Sequence, residues 1–527
     1  MSSSACATLY SGAHWMTIGV SRLRSPLHIA LPYGNAPLSP TDYVNIRSPV
    51  GDAMGAESLW EELNLDERLA ASDSKELTLR FVALSGGGSR AAAFSAFVLR
   101  DTESLYNAAP VREDLSFYEM LDGFSTVSGG SIYAGYVATA FALNESGRDY
   151  LFSTVETARE LRGLGGGDTR YAFRILADDY FDYYTYLGGR AGCAYCSPAN
   201  ACIGPAYSLF TNADILDLYS QTLNTDYAIN AYTRFQFKHL ESRPKFIFNA
   251  TNHSDFRPFL FTRGRFHRGP ATSFDPAAVE DGSIRTFENP LIRWHKNEAS
   301  EFEPGRPFPY ALTLEDLNSD SDEFTIAYAV MASAAFPGVT EPLPLWYYRP
   351  ERDGNRLRFE KAAVVRVADG GLYENYGLTA ALESYDYIRR QAAERGATVR
   401  LKILSVDSAN RARPPEEEES CVGLQSNFGV GSPVRGAVPA VESMSRSYDA
   451  GQAVIRSILA KRAAADSEGS GQIEVAEINL ADCSYFDDVN SEAVQTNYII
   501  TQQEAGTLEE CSEELVLKLR RSRSFVE

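Results

Sequence analysis

The stretch GFSTVSGGS, residues 123–131, joins a short apolar run to a turn made of small residues. Phe124 to Val127 predicts a buried strand, and Ser131 to Leu143 predicts the helix after it. The same order occurs earlier, where Leu77 to Leu84 predicts a strand, three glycines follow, and Arg90 to Leu105 predicts a helix. Strand, tight turn and helix in repetition indicate an α/β fold with a mostly parallel central sheet.

The rest of the chain extends this pattern into one elaborated domain rather than separate modules. Residues 1–55 predict an extended N-terminal arm, and residues 56–527 predict the domain itself, with a core at about 77–407. Residues at about 150–240 are expected to form an insertion, and those at about 435–527 a C-terminal helical extension. Further strands are predicted at Lys245 to Ala250, Pro258 to Thr262, Ala362 to Val367 and Arg400 to Val406, and further helices at Ser58 to Ala71, Val438 to Ala463 and Gln503 to Leu519.

Composition excludes several classes of partner. The chain has 527 residues, of which 44% are hydrophobic, and a formal net charge of -21. That charge repels the phosphates of nucleic acids, so no nucleic-acid partner is expected, and it disfavours electrostatic adhesion to an anionic membrane. The sequence contains no apolar run of the length that spans a bilayer, and its start lacks the pattern of an intact signal peptide.

Seven cysteines leave two questions open. Cys6 lies in a segment that resembles the surroundings of the lipidated cysteine in mature bacterial lipoproteins, and the alternative is an ordinary N-terminal cysteine. The remaining six allow three disulfides, which favours the bacterial cell envelope or secretion, whereas free buried thiols would suit the cytoplasm. No zinc site is predicted, because the cysteine cluster lacks a fourth ligand. These six are Cys193, Cys196, Cys202, Cys421, Cys483 and Cys511.

Ser128 is the first candidate for chemistry. A serine at a sharp strand-to-helix turn has its hydroxyl lifted clear of the sheet, and the amides of the next helix favour an oxyanion. Gly129 and Gly130 supply the small neighbours that such a turn requires. The general pattern is Gly-x-Ser-x-Gly, and Thr126 stands here in place of the first glycine. The threonine side chain is expected to crowd the turn.

Gly86, Gly87 and Gly88 form the second candidate, at the end of a predicted strand and before Arg90. Consecutive glycines let backbone N–H groups converge on an anion. A phosphate-binding loop would require Lys before Ser or Thr, and a dinucleotide loop would require glycine where Ala91 stands. An oxyanion hole is therefore the favoured interpretation, and a purely structural turn is the alternative.

Asp369 is the third candidate, because it follows an apolar strand and precedes Gly370 at the edge where open α/β sheets bind ligands. A Ser-acid-His triad would need a histidine after this aspartate. All six histidines precede it, at His14, His28, His239, His253, His267 and His295. If Ser128 is activated, its base must therefore be a carboxylate, which predicts a dyad.

These three motifs, in this order, resemble the patatin-like phospholipase family. Residues 249–252, Asn-Ala-Thr-Asn, are similar to a further segment of that family, as are residues 332–337, Ala-Ser-Ala-Ala-Phe-Pro. The resemblance covers about residues 77–407 and implies a three-layer α/β/α fold. It implies hydrolysis of acyl esters in phospholipids, lysophospholipids or related lipids, without a metal or cofactor.

The resemblance also implies a role for each candidate. Ser128 becomes the nucleophile and Asp369 the base, while the amides around Gly86, Gly87 and Gly88 form the oxyanion hole and Arg90 sets that loop. The expected partner is a lipid substrate at a membrane surface, reached peripherally or through a lipid anchor at Cys6. A tyrosine-rich run from Tyr171 to Tyr186 is either an interfacial lid or part of the core. Two other functions stay open: a catalytically silent lipid-binding scaffold, and an acyltransferase that uses the same residues.

Overall fold

The structure, a computed structural model, describes a defined part of the chain, and the arm, nearly all of the predicted insertion, Cys6 and the predicted helix at 438–463 lie outside it. The described residues are 58–108, 115–142, 235–240, 243–252, 256–263, 311–335, 342–353, 356–408, 473–487, 502–522 and 525.

One mixed sheet of nine strands forms the centre of the described part. Its main path runs β5-β4-β3-β2-β1-β8-β9, and β7 pairs with both β3 and β6. The pairs around β1 and β2 are parallel, whereas β3 is antiparallel to β4 and to β7. The strands are β1 (Glu76–Leu84), β2 (Gly123–Val127), β3 (Lys245–Asn252), β4 (Pro258–Phe261), β5 (Leu312–Thr313), β6 (Leu343–Asp353), β7 (Arg356–Asp369), β8 (Thr398–Asp407) and β9 (Ile473–Asn479).

Helices cover both faces of this sheet. They are α1 (Leu59–Glu62), α2 (Leu65–Ala70), α3 (Gly88–Ala108), α4 (Phe117–Met120), α5 (Gly129–Ala142), α6 (Ile326–Ser333), α7 (Leu378–Glu394) and α8 (Gln502–Ser522). Short 3-10 turns occur at Phe237–His239, Glu315–Leu317, Gly370–Leu372, Leu480–Asp482 and Ser484–Asp487.

Side chains of β1 alternate between two hydrophobic cores. Val82 and Leu84 join a core formed with α3, α5, α6 and α8. Phe81 and Ala83 join a second core formed with α1, α2 and α7. Successive residues of a strand point to opposite faces, so the two cores lie on opposite sides of the sheet. The predicted three-layer α/β/α fold with a mostly parallel sheet is confirmed.

The element predictions succeed best around the glycine-rich turns. The predicted strands at 77–84, 124–127, 245–250, 258–262 and 400–406 are present to within a few residues. The strand expected at 362–367 is the end of the much longer β7, whose hairpin partner β6 was not predicted. The helix expected at 58–71 is two short helices, because Asn64 between them adopts a left-handed conformation with φ 50°.

The C-terminal region, predicted as helical, contributes the edge strand β9 as well as α8. A disulfide joins Cys483, which follows β9, to Cys511 in α8. A buried ion pair of 2.9 Å between Arg100 of α3 and Glu509 also holds α8 against α3. One of the allowed disulfides is therefore present, and the other five cysteines lie outside the described residues.

Candidate active site

Ser128 occupies a strained turn between β2 and α5. Its backbone has φ 49°, in the left-handed region that a side chain rarely adopts, and α5 begins at the next residue. The Ser128 carbonyl accepts the first helical bond, from the N–H of Ser131 at 2.9 Å. This geometry lifts the half-buried Ser128 side chain to the carboxyl edge of the sheet, at the N-terminus of a helix.

The two glycines after Ser128 are required by close backbone approach. A β-carbon at Gly129 would overlap the carbonyl oxygen of Gly88, and one at Gly130 would lie 2.7 Å from the carbonyl oxygen of Ser85. The turn at Ser128 and the glycine loop are therefore packed directly against each other. A side chain at either glycine would force the two loops apart.

Asp369 ends β7 and lies beside Ser128. Its backbone pairs with Ala250 of β3, and its N–H donates to the carbonyl of Ala335 at 3.0 Å. Its carboxylate accepts a hydrogen bond from the Gly371 N–H at 2.7 Å, and it lies close enough to the Ser128 side chain for that hydroxyl to lower its pKa. Gly370 is required next to it, since a β-carbon there would overlap the carbonyl of Asn249. The structure thus brings the predicted serine and aspartate together.

Burial changes the acidity of this carboxyl. Asp369 is only 4% exposed, and desolvation raises its pKa to about 7, although the bonds from Gly371 and Ser128 oppose the shift. A base with a pKa near the working pH is the kind that transfers protons most effectively. His239, the one histidine among the described residues, instead accepts the Gln236 N–H through Nδ1 at 3.0 Å.

A buried network of hydroxyl groups supports the turn from below. The Ser333 hydroxyl accepts the Ser128 N–H at 3.0 Å and donates to the carbonyl of Asn249 at 2.5 Å. It also lies 2.8 Å from the Ser131 hydroxyl, which lies 2.9 Å from that of Thr126. Thr126 is therefore directed into this network, where its hydroxyl is hydrogen bonded, rather than against the Ser128 side chain.

The amide of Asn249 completes the network by donating to the Ser125 hydroxyl at 3.0 Å and to the Thr126 carbonyl at 2.9 Å. Ser333 and Asn249 lie in the two segments whose resemblance to the family was noted without a role. Ser131 follows the turn, but nothing in the spacing of the sequence marked it as part of a network. The role of Ser131 is visible only in the structure, because the fold brings it next to Ser333, which lies 202 residues away in the sequence.

The glycine loop lies against Ser128, but its three members differ. Gly86 is buried, its N–H donates to the carbonyl of Asn375 at 3.0 Å, and a β-carbon on it would lie 3.1 Å from that of Ser128. Gly87 and Gly88 are half-buried and have φ of 143° and 61°, values that favour glycine. The Gly86 N–H is thus already bonded to Asn375, and the role of the three glycines as an oxyanion hole stays a prediction.

Arg90, in the first turn of α3, is buried against this loop. Its Nη2 atom lies 3.3 Å from the position of a β-carbon on Gly87, so the guanidinium packs along the loop backbone. Within the described ranges, no three His, Cys, Asp or Glu side chains are grouped to hold a metal ion. No helix among these residues combines the length and apolar character needed to cross a bilayer.

The α/β/α fold matches the architecture expected from the sequence, and within it Ser128, at a strained turn, lies beside the buried Asp369. The family described as patatin-like phospholipase matches residues 82–382, which is more than half of the chain. The chain belongs to this family, which consists in general of lipid acyl hydrolases. No curated protein sequence matches it. The match ends within α7, so β8, β9 and α8 lie beyond it.

Proposed function

We propose that this chain hydrolyses acyl esters of phospholipids or lysophospholipids through a dyad of Ser128 and Asp369. The observation that carries the proposal is the place of the Ser128 side chain beside the buried carboxylate of Asp369, close enough to lower the pKa of that carboxyl against the effect of burial. A serine hydroxyl is a weak nucleophile unless a base within hydrogen-bond reach takes its proton. Asp369 is in position to take that proton directly.

The reaction follows from this geometry in two steps. Ser128 Oγ attacks the ester carbonyl carbon while its proton moves to Asp369, and the amides of Gly87 and Gly88 stabilise the tetrahedral oxyanion. The intermediate collapses to an acyl-enzyme, and the departing alcohol takes the proton from Asp369. Asp369 then deprotonates a water that attacks the acyl-enzyme, which releases the fatty acid and restores Ser128.

Gly88 also stands at the N-terminus of the 21-residue helix α3, and Gly129 begins α5. Two helix N-termini thus meet beside Ser128, and both favour negative charge there. This arrangement supports charge stabilisation by the backbone alone. The proposal for the oxyanion therefore needs no cationic side chain in contact with the substrate.

The proposed substrate is held in a membrane, so the enzyme has to reach a lipid surface. The net charge of -21 on the protein disfavours attraction to anionic lipids. We therefore propose that apolar contacts, or a lipid attached at Cys6, recruit the enzyme to the membrane. Cys6 lies outside the described residues. Mass spectrometry of the protein from its native membrane fraction tests for an acyl modification on this residue.

Labelling with a fluorophosphonate probe tests the dyad. The wild-type protein should be labelled and should release fatty acid from phosphatidylcholine or lysophosphatidylcholine, whereas Ser128→Ala should do neither. Asp369→Asn should lower kcat by about 10²- to 10⁴-fold, as expected for loss of a general base, while it stays folded. Ser95→Ala is the matched control, because Ser95 is a buried serine of α3 outside the site.

Two outcomes would contradict the proposal. Near-normal turnover by folded Asp369→Asn would exclude Asp369 as the base. A folded wild-type protein that is neither labelled nor active on lipid esters would instead favour a silent lipid-binding scaffold.

A further inference from the structure

We propose that Ser408 is a positioning residue, which fixes the Gly86–Gly87 peptide so that the Gly87 N–H faces the oxyanion. The inference rests on the proposed hydrolase function and adds a residue beyond the family match, which ends at residue 382. Ser408 directly follows β8, and β8 pairs in parallel with β1 up to Leu84. The strand register therefore brings Ser408 beside the start of the glycine loop.

The hydroxyl of Ser408 holds the Gly86 carbonyl. It donates to this oxygen at 2.8 Å, while the Ser408 N–H donates to the Ser85 hydroxyl at 2.9 Å. The Ser85 hydroxyl in turn lies 3.1 Å from that of Ser408. Both serines are buried, so water cannot readily replace these bonds. Together they form a closed ring of hydrogen bonds at one side of the loop.

The planarity of the peptide bond transmits this constraint. In a trans peptide the C=O and the following N–H point in opposite directions, so fixing the Gly86 oxygen also fixes the Gly87 N–H. The Gly86 N–H is held on its other side by the carbonyl of Asn375 at 3.0 Å. The peptide before Gly86 and the peptide after it are thus each held by a partner.

The Gly87 N–H is the group that this arrangement directs outward. Within the described part of the chain, no acceptor for it is recorded, and Gly87 is half-buried rather than enclosed. Gly86 lies directly against Ser128, since a β-carbon on it would approach that of Ser128 to 3.1 Å. A donor on the next peptide is therefore close to the place where a carbonyl attacked by Ser128 develops its charge.

The loop needs such a constraint because glycines give it rotational freedom. Gly87 has φ 143°, and a residue without a side chain moves readily between conformations. The Ser408 hydroxyl also packs on Gly87, lying 2.6 Å from the position of a β-carbon there. A donor held in place before the reaction stabilises an oxyanion better than one that must reorient during it.

Ser408→Ala tests the inference with a soluble ester, p-nitrophenyl butyrate, and with a trifluoromethyl ketone whose adduct with the serine carries an oxyanion. Complete removal of one oxyanion donor costs about 10²- to 10³-fold in kcat, so loosening one should cost about 10- to 100-fold. KM should change less than about threefold, because the interaction forms only in the transition state. Affinity for the ketone should fall by about the same factor as kcat/KM.

Two further variants keep the test decisive. Ser384→Ala is the matched control, since Ser384 is a buried serine that donates to the carbonyl of Ala380 at 2.8 Å in α7, and it should keep wild-type kinetics. Ser408→Cys keeps the shape of the side chain with a slightly larger atom but donates weakly, so it should show an intermediate kcat even if Ser408→Ala fails to fold.

The outcomes separate this inference from the proposed function. Wild-type kcat and ketone affinity in folded Ser408→Ala or Ser408→Cys, with Ser128→Ala inactive, would overturn the role of Ser408 and leave the dyad intact. A rise in KM alone would also overturn it. A wild-type protein that neither turns over the ester nor reacts with a fluorophosphonate would overturn both.

Discussion

Ser128 and Asp369 owe their contact to one strand, β3, which pairs with both of the strands that carry them. In β3, Asn249 pairs with Val127, the residue before Ser128, and the next residue, Ala250, pairs with Asp369. The first pairing is parallel and the second antiparallel, so β2 and β7 run in opposite directions. Their C-terminal ends therefore lie at neighbouring positions along β3. A shift of β3 by one residue would exchange its two faces and separate the pair.

This contact predicts a dependence of activity on pH. Asp369 can act as a base only when it is ionised, and burial raises its pKa to about 7. We therefore expect kcat/KM for a soluble ester to be low at pH 5, to rise through about pH 7 and to level off above it. Initial rates measured between pH 5 and 9 with p-nitrophenyl butyrate check this profile.

The residual activity of Asp369→Asn is the control for this profile, since asparagine does not titrate. It should show no inflection near pH 7. An unchanged inflection in that variant would assign the titration to another group.

The raised pKa also predicts that Asp369 reduces stability at neutral pH. The folded state holds this proton more tightly than the unfolded state, whose pKa is near the ordinary 3.8. The stabilisation that comes from this tighter proton binding is therefore fully present below about pH 4, and it is lost as the pH rises to about 7. Asp369→Asn should be more stable than wild type at pH 8 by roughly 2 to 4 kcal/mol, because one pKa unit corresponds to about 1.4 kcal/mol.

Urea unfolding of both proteins at pH 4.5 and pH 8 measures this difference. The gain from Asp369→Asn should be much smaller at pH 4.5, where the wild-type carboxyl is already protonated in the folded state. A gain that does not depend on pH would point to a cause other than the buried charge.

Ser333 is predicted to matter to both stability and rate. Ser333→Ala removes the acceptor for the Ser128 N–H and a donor to the Asn249 carbonyl. An unsatisfied buried polar group costs about 1 to 3 kcal/mol, so thermal unfolding should shift to lower temperature. Because the strained φ of Ser128 depends on its surroundings, kcat should also fall by about tenfold or more.

Ser95→Ala is again the matched comparison. Within the described residues, no hydrogen bond is recorded for the buried Ser95 hydroxyl, so its removal should be neutral or slightly stabilising. If both variants lose the same stability and neither loses activity, Ser333 serves packing alone.

The sequence predicted the α/β fold and the positions of Ser128 and Asp369 from local signals, whereas the three-layer arrangement was implied by the resemblance to the family. An apolar run followed by small residues marks a strand end, and the strands β1 and β2 carry this signal strongly. The groups that orient these residues were not predicted, except that two family-like segments were noted. Ser408 and Asn375 act through a hydroxyl and a backbone carbonyl, and neither choice of residue leaves a pattern in the sequence.

The long hairpin of β6 and β7 was missed for a related reason. Both strands, Leu343–Asp353 and Arg356–Asp369, carry charged residues among their apolar ones, and the first also contains two prolines. Only the last residues of β7 pair with the main sheet, so most of the hairpin lacks the continuous apolar run of a fully buried strand. The two strands are stabilised mainly by pairing with each other. A search for buried apolar runs does not detect strands of this kind.

The disulfide between Cys483 and Cys511 gives a last prediction, for the region beyond the family match. It closes a loop with a sequence separation of 28 and fixes α8, which also pairs with α3 through Arg100 and Glu509. Cross-linking a loop of this length restricts the unfolded chain, so its removal should cost about 3 to 4 kcal/mol. Cys483→Ser with Cys511→Ser should therefore lower the melting temperature by several degrees, in non-reducing buffer, without altering the reactivity of Ser128 at 25 °C. A peptide map that shows both thiols free in the wild-type protein, or a fluorophosphonate reaction that slows with the loss of the bridge, would contradict a purely stabilising role.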